Sequence, residues 1–311
     1  MNPLQVAVGV VKSADGKILI SLRDQSSHQG GLWEFPGGKI EQQETAEQAL
    51  IRELKEELNL NVKAATPLIT VKHQYTDLLV QLNVFLVEDF SGEVESCEGQ
   101  AFLWVEPDAL RQYAFPKVNQ PIITAARLPD RYAILEDTDE PLLRINLQKI
   151  LDRGVKLIQA RLKTLPPEAV KKFVEQAYPL CKQKGALLLI NSAVKSPDDL
   201  EADGIHLTSR DLMFLDKRPG HRRWVAASCH TLQELRHAQK IGVDFIVLGP
   251  VLPTQTHPGA EVLGWKRFAE LVSRINLPVY ALGGMSESSV IAARSAGGQG
   301  ISAIRAFIES E

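Results

Sequence analysis

The chain has 311 residues, enough for two domains with a core each, and its 44% hydrophobic and 23% charged residues exclude a disordered or fibrous protein. A formal net charge of −3 gives no electrostatic basis for binding a nucleic acid polymer. Cys97, Cys181 and Cys229 are too scattered for a disulfide framework or a metal-spaced cluster and suit a reducing, cytoplasmic setting. No run of about 18 apolar residues offers a membrane span, and the opening MNPLQVAVGVV lacks the charged n-region of a signal peptide.

In chain order, Leu4–Val11 predicts an apolar strand. Ser13-Ala14-Asp15-Gly16 is a turn and Lys17–Arg23 a second strand, so the two are expected to form a hairpin. Gln25–Gly31 is a polar loop. Leu32–Phe35 leads through Pro36-Gly37-Gly38 into a helix over Thr45–Leu58. Val62–Tyr75 and Leu78–Val87 read as strands with Asp77 at the bend, and Ala101–Val105 as a short strand. Glu106–Arg111 is a short helix opened by Pro107, and Lys117–Arg127 a final one. Strands on both sides of one long helix predict a mixed α/β fold of roughly 130 residues.

The long helix carries an unusual load of carboxylates. Glu53, Glu56 and Glu57 stand at i, i+3 and i+4 and share one side. Ala46, Leu50, Leu54 and Leu58 form the apolar stripe, with Glu57 projecting between Ala46 and Leu50 and Glu53 close beside. Carboxylates crowded against a core repel one another and lose hydration unless a cation compensates. A hard divalent cation such as Mg²⁺ does so through oxygen ligands. The bland alternative is a solvated surface helix with Lys39, Arg52 and Lys55 as partners.

The longer spacing decides between them. Gly38, five residues, Glu44, seven residues and then Arg52-Glu53-Leu54-x-Glu56-Glu57-x-Asn59-Leu60 resembles the Nudix box, with Asn59 where the family has Gly. Asn also tolerates the left-handed helix C-cap, so the helix still ends there. QVAVGVV, His28, EFPGGKIE, CEGQ at 97–100 and FPKVNQPII at 115–123 extend the likeness to the MutT-type 8-oxo-dGTP diphosphatases. The resemblance implies Mg²⁺ (or Mn²⁺) held by Glu53, Glu56, Glu57 and the Gly37 carbonyl, with Glu98 completing the site from its loop. It implies that Arg52 orients the box carboxylates with Glu44 in support, that Asn119 reads the purine edge, that Arg23 contacts the nucleotide and that Phe35 walls the base pocket. Read without the resemblance, Asn119 also suits a helix N-cap, and Arg23 and Glu98 suit solvated charges. The implied reaction is attack by water on a small-molecule nucleoside triphosphate, with release of the monophosphate and pyrophosphate. A box carboxylate or Glu98 serves as general base.

A break falls near Leu128-Pro129-Asp130, so the expected domains are 1–128 and 131–311. From Arg131 the pattern alternates. Apolar strands lie at Arg131–Glu136, Leu157–Leu162, Leu187–Asn191, Gly204–Leu207, Trp224–Ser228, Phe245–Gly249, Val279–Leu282 and Gly300–Ile304. Helical segments lie at Pro141–Arg153, Pro167–Lys184, Leu232–Ile241, Trp265–Ile275 and Glu287–Ala296. This alternation predicts a compact (β/α)8 TIM barrel, with a doubly wound open sheet as the other arrangement it permits.

The strand C-termini, where barrel chemistry sits, resemble those of thiamine phosphate synthase and the thiazole tautomerase TenI. The matching pieces are Gln159-x-Arg161-x-Lys163, GIHLTSRD at 204–211, Ser228-Cys229-His230, GPVLPTQTH at 249–257, Gly283-Gly284 and Ile301–Ile304. The resemblance implies a site drawn from Gln159, Arg161, Lys163, Asn191, Asp211, His230, Thr254, Thr256, Gly284 and Ser302, able to take a phosphorylated ligand. Two positions depart: Ser192 stands where the family has Asp after strand three, and His257 where it has Lys. Both changes weaken the case for a Mg–pyrophosphate substrate. Full synthase activity, tautomerase-like chemistry through His230, and an anion-binding or structural barrel all remain open.

Overall fold

In the computed structural model, which describes residues 3–25, 29–76, 78–220, 222–254, 259 and 261–309, the chain divides into two units, Met1–Arg127 and Leu128–Glu311. Among the described residues no helix is long and apolar enough to cross a membrane.

The first unit runs β1 (Leu4–Val11), β2 (Ile18–Leu22), β3 (Trp33–Glu34), β4 (Gly37–Lys39), α1 (Ala46–Leu58), β5 (Asn61–Gln74), β6 (Leu79–Ser91), β7 (Phe102–Val105) and α2 (Gln120–Arg127). Its two sheets have the orders β4-β1-β6-β5 and β3-β2-β7. The apolar run of β1 follows from its position, since it is covered on both faces. Ala7 and Val11 join the cluster of Leu50, Leu54 and Leu58 from α1, whereas Val8 and Val10 join that of Phe35, Ile122 and Ile123.

The expected hairpin of the first two strands does not form. β1 pairs in parallel with β6 and antiparallel with β4, so both its edges are taken. β2 turns into the other sheet, between β3 and β7, and a Lys12–Ile18 bridge beside the turn links the two strands. The apolar stripe of α1 is also shifted: Ala49, Leu50, Leu54 and Leu58 are buried while Ala46 is only half-buried. The last two predicted helices tighten into 3₁₀ turns at Pro107–Gln112 and Lys117–Asn119, and α2 begins at Gln120 with Pro121 in its first turn. Asp77, placed at a bend by sequence, lies outside the described residues.

The second unit runs β8 (Arg131–Glu136), α3 (Glu140–Asp152), β9 (Leu157–Arg161), α4 (Pro167–Gln183), β10 (Leu187–Asn191), β11 (Gly204–Leu207), α5 (Ser209–Phe214), β12 (Trp224–Cys229), α6 (Leu232–Ile241), β13 (Phe245–Leu248), α7 (Gly264–Val272), β14 (Val279–Leu282), α8 (Ser289–Ser295) and β15 (Gly300–Ala303). All eight strands are parallel, and β15 pairs with β8 to close the barrel, as the alternation predicted. The period of two sets the layers. Ala133, Ile158, Ile205 and Val225 face outward against the helices, and Tyr132, Leu157, Trp224, Phe245 and Tyr280 fill the interior. The next inward positions along the strands are Gln159, Asn191 and His206, which are buried, and then Glu136, Arg161 and Ser228 at the C-terminal mouth.

Candidate active site

The geometry of α1 starts at its ends. Thr45 caps it in a reciprocal capping box with Gln48, and Asn59, left-handed at φ 55°, closes it through N–H bonds to the Leu54 and Lys55 carbonyls. Between these stops Arg52 is the hub of the box. It grips Glu44 through Nη2 (2.8 Å) and Nε (3.3 Å). Its Nη1 donates to Glu53 (2.9 Å) and Glu56 (3.0 Å), and its Nη2 to the Lys39 carbonyl (3.1 Å). The Glu44 carboxylate foremost, with Glu53 and Glu56, raises the guanidinium pKa further. The Glu53 carboxyl lies over the Cα of Gly38, so a Cβ there would push it out of its present place.

Glu57 faces inward. The Gly37 N–H donates to its Oε2 at 3.3 Å. Burial first, then the charges of Glu53 and Glu34 and more weakly of Glu98, push its carboxyl up to about 8, against the pull of that N–H. The loop of Glu98 is pinned to the end of α1, because Cys97 N–H (3.0 Å) and Gln100 Nε2 (3.2 Å) both donate to the Glu57 carbonyl. Glu98 itself is exposed, and with Glu57, Glu34 and Arg23 it lines a cavity of about 360 Å³.

No three His, Cys, Asp or Glu side chains among the described residues stand gathered as a ready metal cage. Arg52 draws Glu53 and Glu56 to itself. The donor set nonetheless fits a hard divalent cation: every candidate ligand is oxygen, and burial first, then the charges of Glu53 and Glu34, leave the ionised Glu57 carboxylate short of compensation.

Beside it lies a larger cleft of about 570 Å³, whose walls include Arg23, Phe35, Gly37 and Asn119. Phe35 is buried and packs on Phe115 at 5.3 Å between ring centroids. Asn119 is 7% exposed and directly precedes α2. Glu53, Glu56 and Arg52 line neither cavity. Glu34 was not singled out by sequence, yet it pairs with Arg23 and walls both cavities, and burial raises its pKa above the usual carboxylate value. His28 lies outside the described residues.

In the barrel, a cavity of about 300 Å³ opens at the strand C-termini and brings together Gln159, Arg161, Lys163, Asn191, His230 and Thr254. A second, of about 220 Å³, is lined by Thr254, Gly284 and Ser302. The Ser302 hydroxyl is buried without a hydrogen-bond partner among the described residues, and Gly283 and Gly284 both take left-handed φ angles of 98° and 64°. Asp211 does not join either cavity. Its Oδ2 accepts from the Ser192 hydroxyl and, at 2.8 Å, from that of Thr208, because α5, unforeseen by sequence, is capped by Thr208. Thr256 and His257 lie outside the described residues.

Beneath the mouth runs a chain of hydrogen bonds. Asn191 Nδ2 donates to Gln159 Oε1 (2.7 Å), which turns Gln159 Nε2 toward the Tyr132 hydroxyl (3.4 Å). The Tyr132 hydroxyl bonds to His206 Nδ1 (3.0 Å), and His206 Nε2 to Ser228 Oγ (2.8 Å). Burial, aided by the charge of Arg161, lowers the His206 pKa to about 3, so the ring is neutral. His230 gives its Nδ1 proton to the Gly249 carbonyl at 2.6 Å.

The family described as Thiamine monophosphate synthase matches residues 132–307, and the NUDIX domain matches residues 7–125. A thiamine-phosphate synthase of Bacteroides thetaiotaomicron is 31% identical over 169 residues, covering 52% of this chain and 81% of the relative. An 8-oxo-dGTP diphosphatase of Proteus vulgaris is 44% identical over 96 residues, covering 31% of this chain and 86% of the relative. A CTP pyrophosphohydrolase of Escherichia coli is 34% identical over 125 residues, covering 40% and 92%.

Proposed function

The chain belongs to the thiamine monophosphate synthase family through its barrel and carries a Nudix pyrophosphohydrolase domain ahead of it, and from that premise we propose that the Nudix unit hydrolyses oxidised purine nucleoside triphosphates, converting 8-oxo-dGTP to 8-oxo-dGMP and pyrophosphate. Such a reaction would remove the oxidised nucleotide before a polymerase inserts it, and so guard against A·T to C·G transversions. The observation that carries the reading is the 570 Å³ cleft in which the buried Asn119 stands with Phe35 and Arg23 beside the Gly37–Glu57 contact.

Each group then has a task. Phe35, held by Phe115, offers a flat wall to the base. Asn119 carries both a donor and an acceptor suited to the purine edge, and a base that leaves one of them unpaired is penalised. Arg23, kept in place by Glu34, faces the nucleotide from the wall shared with the carboxylate cavity. Glu53, Glu56, Glu57, Glu98 and the Gly37 carbonyl would hold Mg²⁺ or Mn²⁺, which when bound neutralises phosphate charge and acidifies a water. Arg52 fixes the rotamers of Glu53 and Glu56 through its grip on Glu44.

For the barrel the reading is a degenerate member of its family that holds a phosphorylated ligand. Ser302 and the two left-handed glycines support a phosphate seat, and Asp211, tied to Ser192 and Thr208, is withdrawn from any metal–pyrophosphate role.

A nucleotide panel with Mg²⁺ tests the first unit. The expected result is a preference for 8-oxo-dGTP over dGTP that Asn119→Ala reduces by about tenfold or more, the value of a buried hydrogen-bonding group in substrate choice. An Asn119→Ala enzyme with its preference intact would mean that the base is read elsewhere. A preference for CTP in the wild-type enzyme would replace the purine reading.

A further inference from the structure

The barrel mouth holds a carboxylate where its family resemblance supplies no role for one. Glu136 ends β8 and is the register partner of Arg161 at the end of β9. The two side chains form an ion pair, are 29% and 30% exposed respectively, and line the same 300 Å³ cavity. Arg161 is the planar, always-charged group best suited there to grip a phosphate oxygen pair, and its guanidinium already has an anion. The neighbouring loop is satisfied in the same manner: the N–H groups of Lys163, Thr164 and Leu165 converge on the Asp137 carboxylate at 2.9, 3.1 and 3.2 Å. The other cavity offers the contrary picture, with the buried Ser302 hydroxyl unpartnered among the described residues beside Gly284.

We propose that Glu136 is a specificity-determining residue of the barrel: its carboxylate occupies the position on Arg161 that a second anionic group of a ligand would take. The barrel therefore selects a ligand with a single phosphate, seated beside Gly284 and Ser302, and with an uncharged group at the Arg161 end. A diphosphate reaching across the mouth must displace Glu136 or lie against it, and an unpaired like charge is a strong means of rejection. The inference rests on the reading of the barrel as a phosphate-ligand site, and the two separate experimentally.

Calorimetric titrations of the full chain, in EDTA so that the Nudix unit holds no metal, supply the test. Inorganic phosphate addresses the reading: binding that Ser302→Val removes marks the seat, and no such binding would remove the reading and this proposal with it. Inorganic pyrophosphate addresses Glu136. The expected result is that Glu136→Gln gains about tenfold in pyrophosphate affinity, that adding Arg161→Gln cancels the gain, and that Glu136→Asp, which keeps the charge, stays near wild type. Should Glu136→Gln misfold, Glu136→Thr carries the same expectation. Phosphate binding with unchanged pyrophosphate affinity in the folded neutral variant would overturn the proposal and leave the reading standing. A fall in affinity would make Glu136 a brace that presents Arg161 to anions, and would overturn it equally.

Discussion

Replacing Glu53 by Gln is expected to reduce Mg²⁺-dependent release of pyrophosphate from 8-oxo-dGTP by about a thousandfold or more, the scale on which a charged group in a phosphoryl-transfer site acts. Gln keeps the shape that sits over Gly38, so the packing of α1 on β4 should survive. What is lost is a full negative charge from a cluster that already contains Glu57, Glu34 and Glu98. Arg52, still bound to Glu44 and Glu56, keeps its place. Turnover measured across a Mg²⁺ titration, with circular dichroism to verify folding, distinguishes the causes. A loss that rising Mg²⁺ does not recover fits a charge needed in catalysis as well as in metal capture. Full activity in the variant would remove the metal role assigned to Glu53.

The helix at the centre of that expectation was legible because its determinants are local. Thr45 and Asn59 are capping residues at fixed distances from an apolar stripe, and both cap as their chemistry dictates. The barrel was legible for a similar reason, since each short apolar strand is followed by a helix or turn and the period of two puts Gln159, Asn191 and His206 on one inner layer. What escaped was decided by partners remote in sequence. The β1–β2 hairpin failed because β6, about 70 residues on, takes an edge of β1, and no local pattern reports that competition. Glu34 and Glu136 read as ordinary charges until the fold sets them against Arg23 and Arg161. Asp211 was assigned by motif, but the Ser192 substitution gives its carboxylate an internal hydroxyl partner in place of a second acid. Side-chain chemistry at strand ends is visible in sequence, whereas the pairing that uses it up is not.

Glu57 ties the charge cluster to stability, and the sign can be worked out. In the metal-free fold its carboxyl is pushed up to about 8 from an ordinary 4.5, so the folded chain holds this proton more tightly than the unfolded chain. The stabilisation this provides is complete below about pH 4.5 and is lost as pH rises to about 8, amounting to on the order of a few kcal/mol. Mg²⁺ binds the deprotonated carboxylate and so competes with the proton. The thermal transition that responds to Mg²⁺ should therefore fall with rising pH in EDTA. Its upward shift on adding Mg²⁺ should be larger at about pH 8.5 than at about pH 6. Glu57→Gln removes the titrating group, so the metal-free transition should lose much of its pH dependence while the Mg²⁺ shift shrinks. Scanning calorimetry of wild type and variant at both pH values reads all four quantities. A Mg²⁺ shift that is flat with pH, or greater in acid, would mean that the cation is not captured by this carboxylate. The unfavourable charge on the buried face of α1 would then require a different compensation.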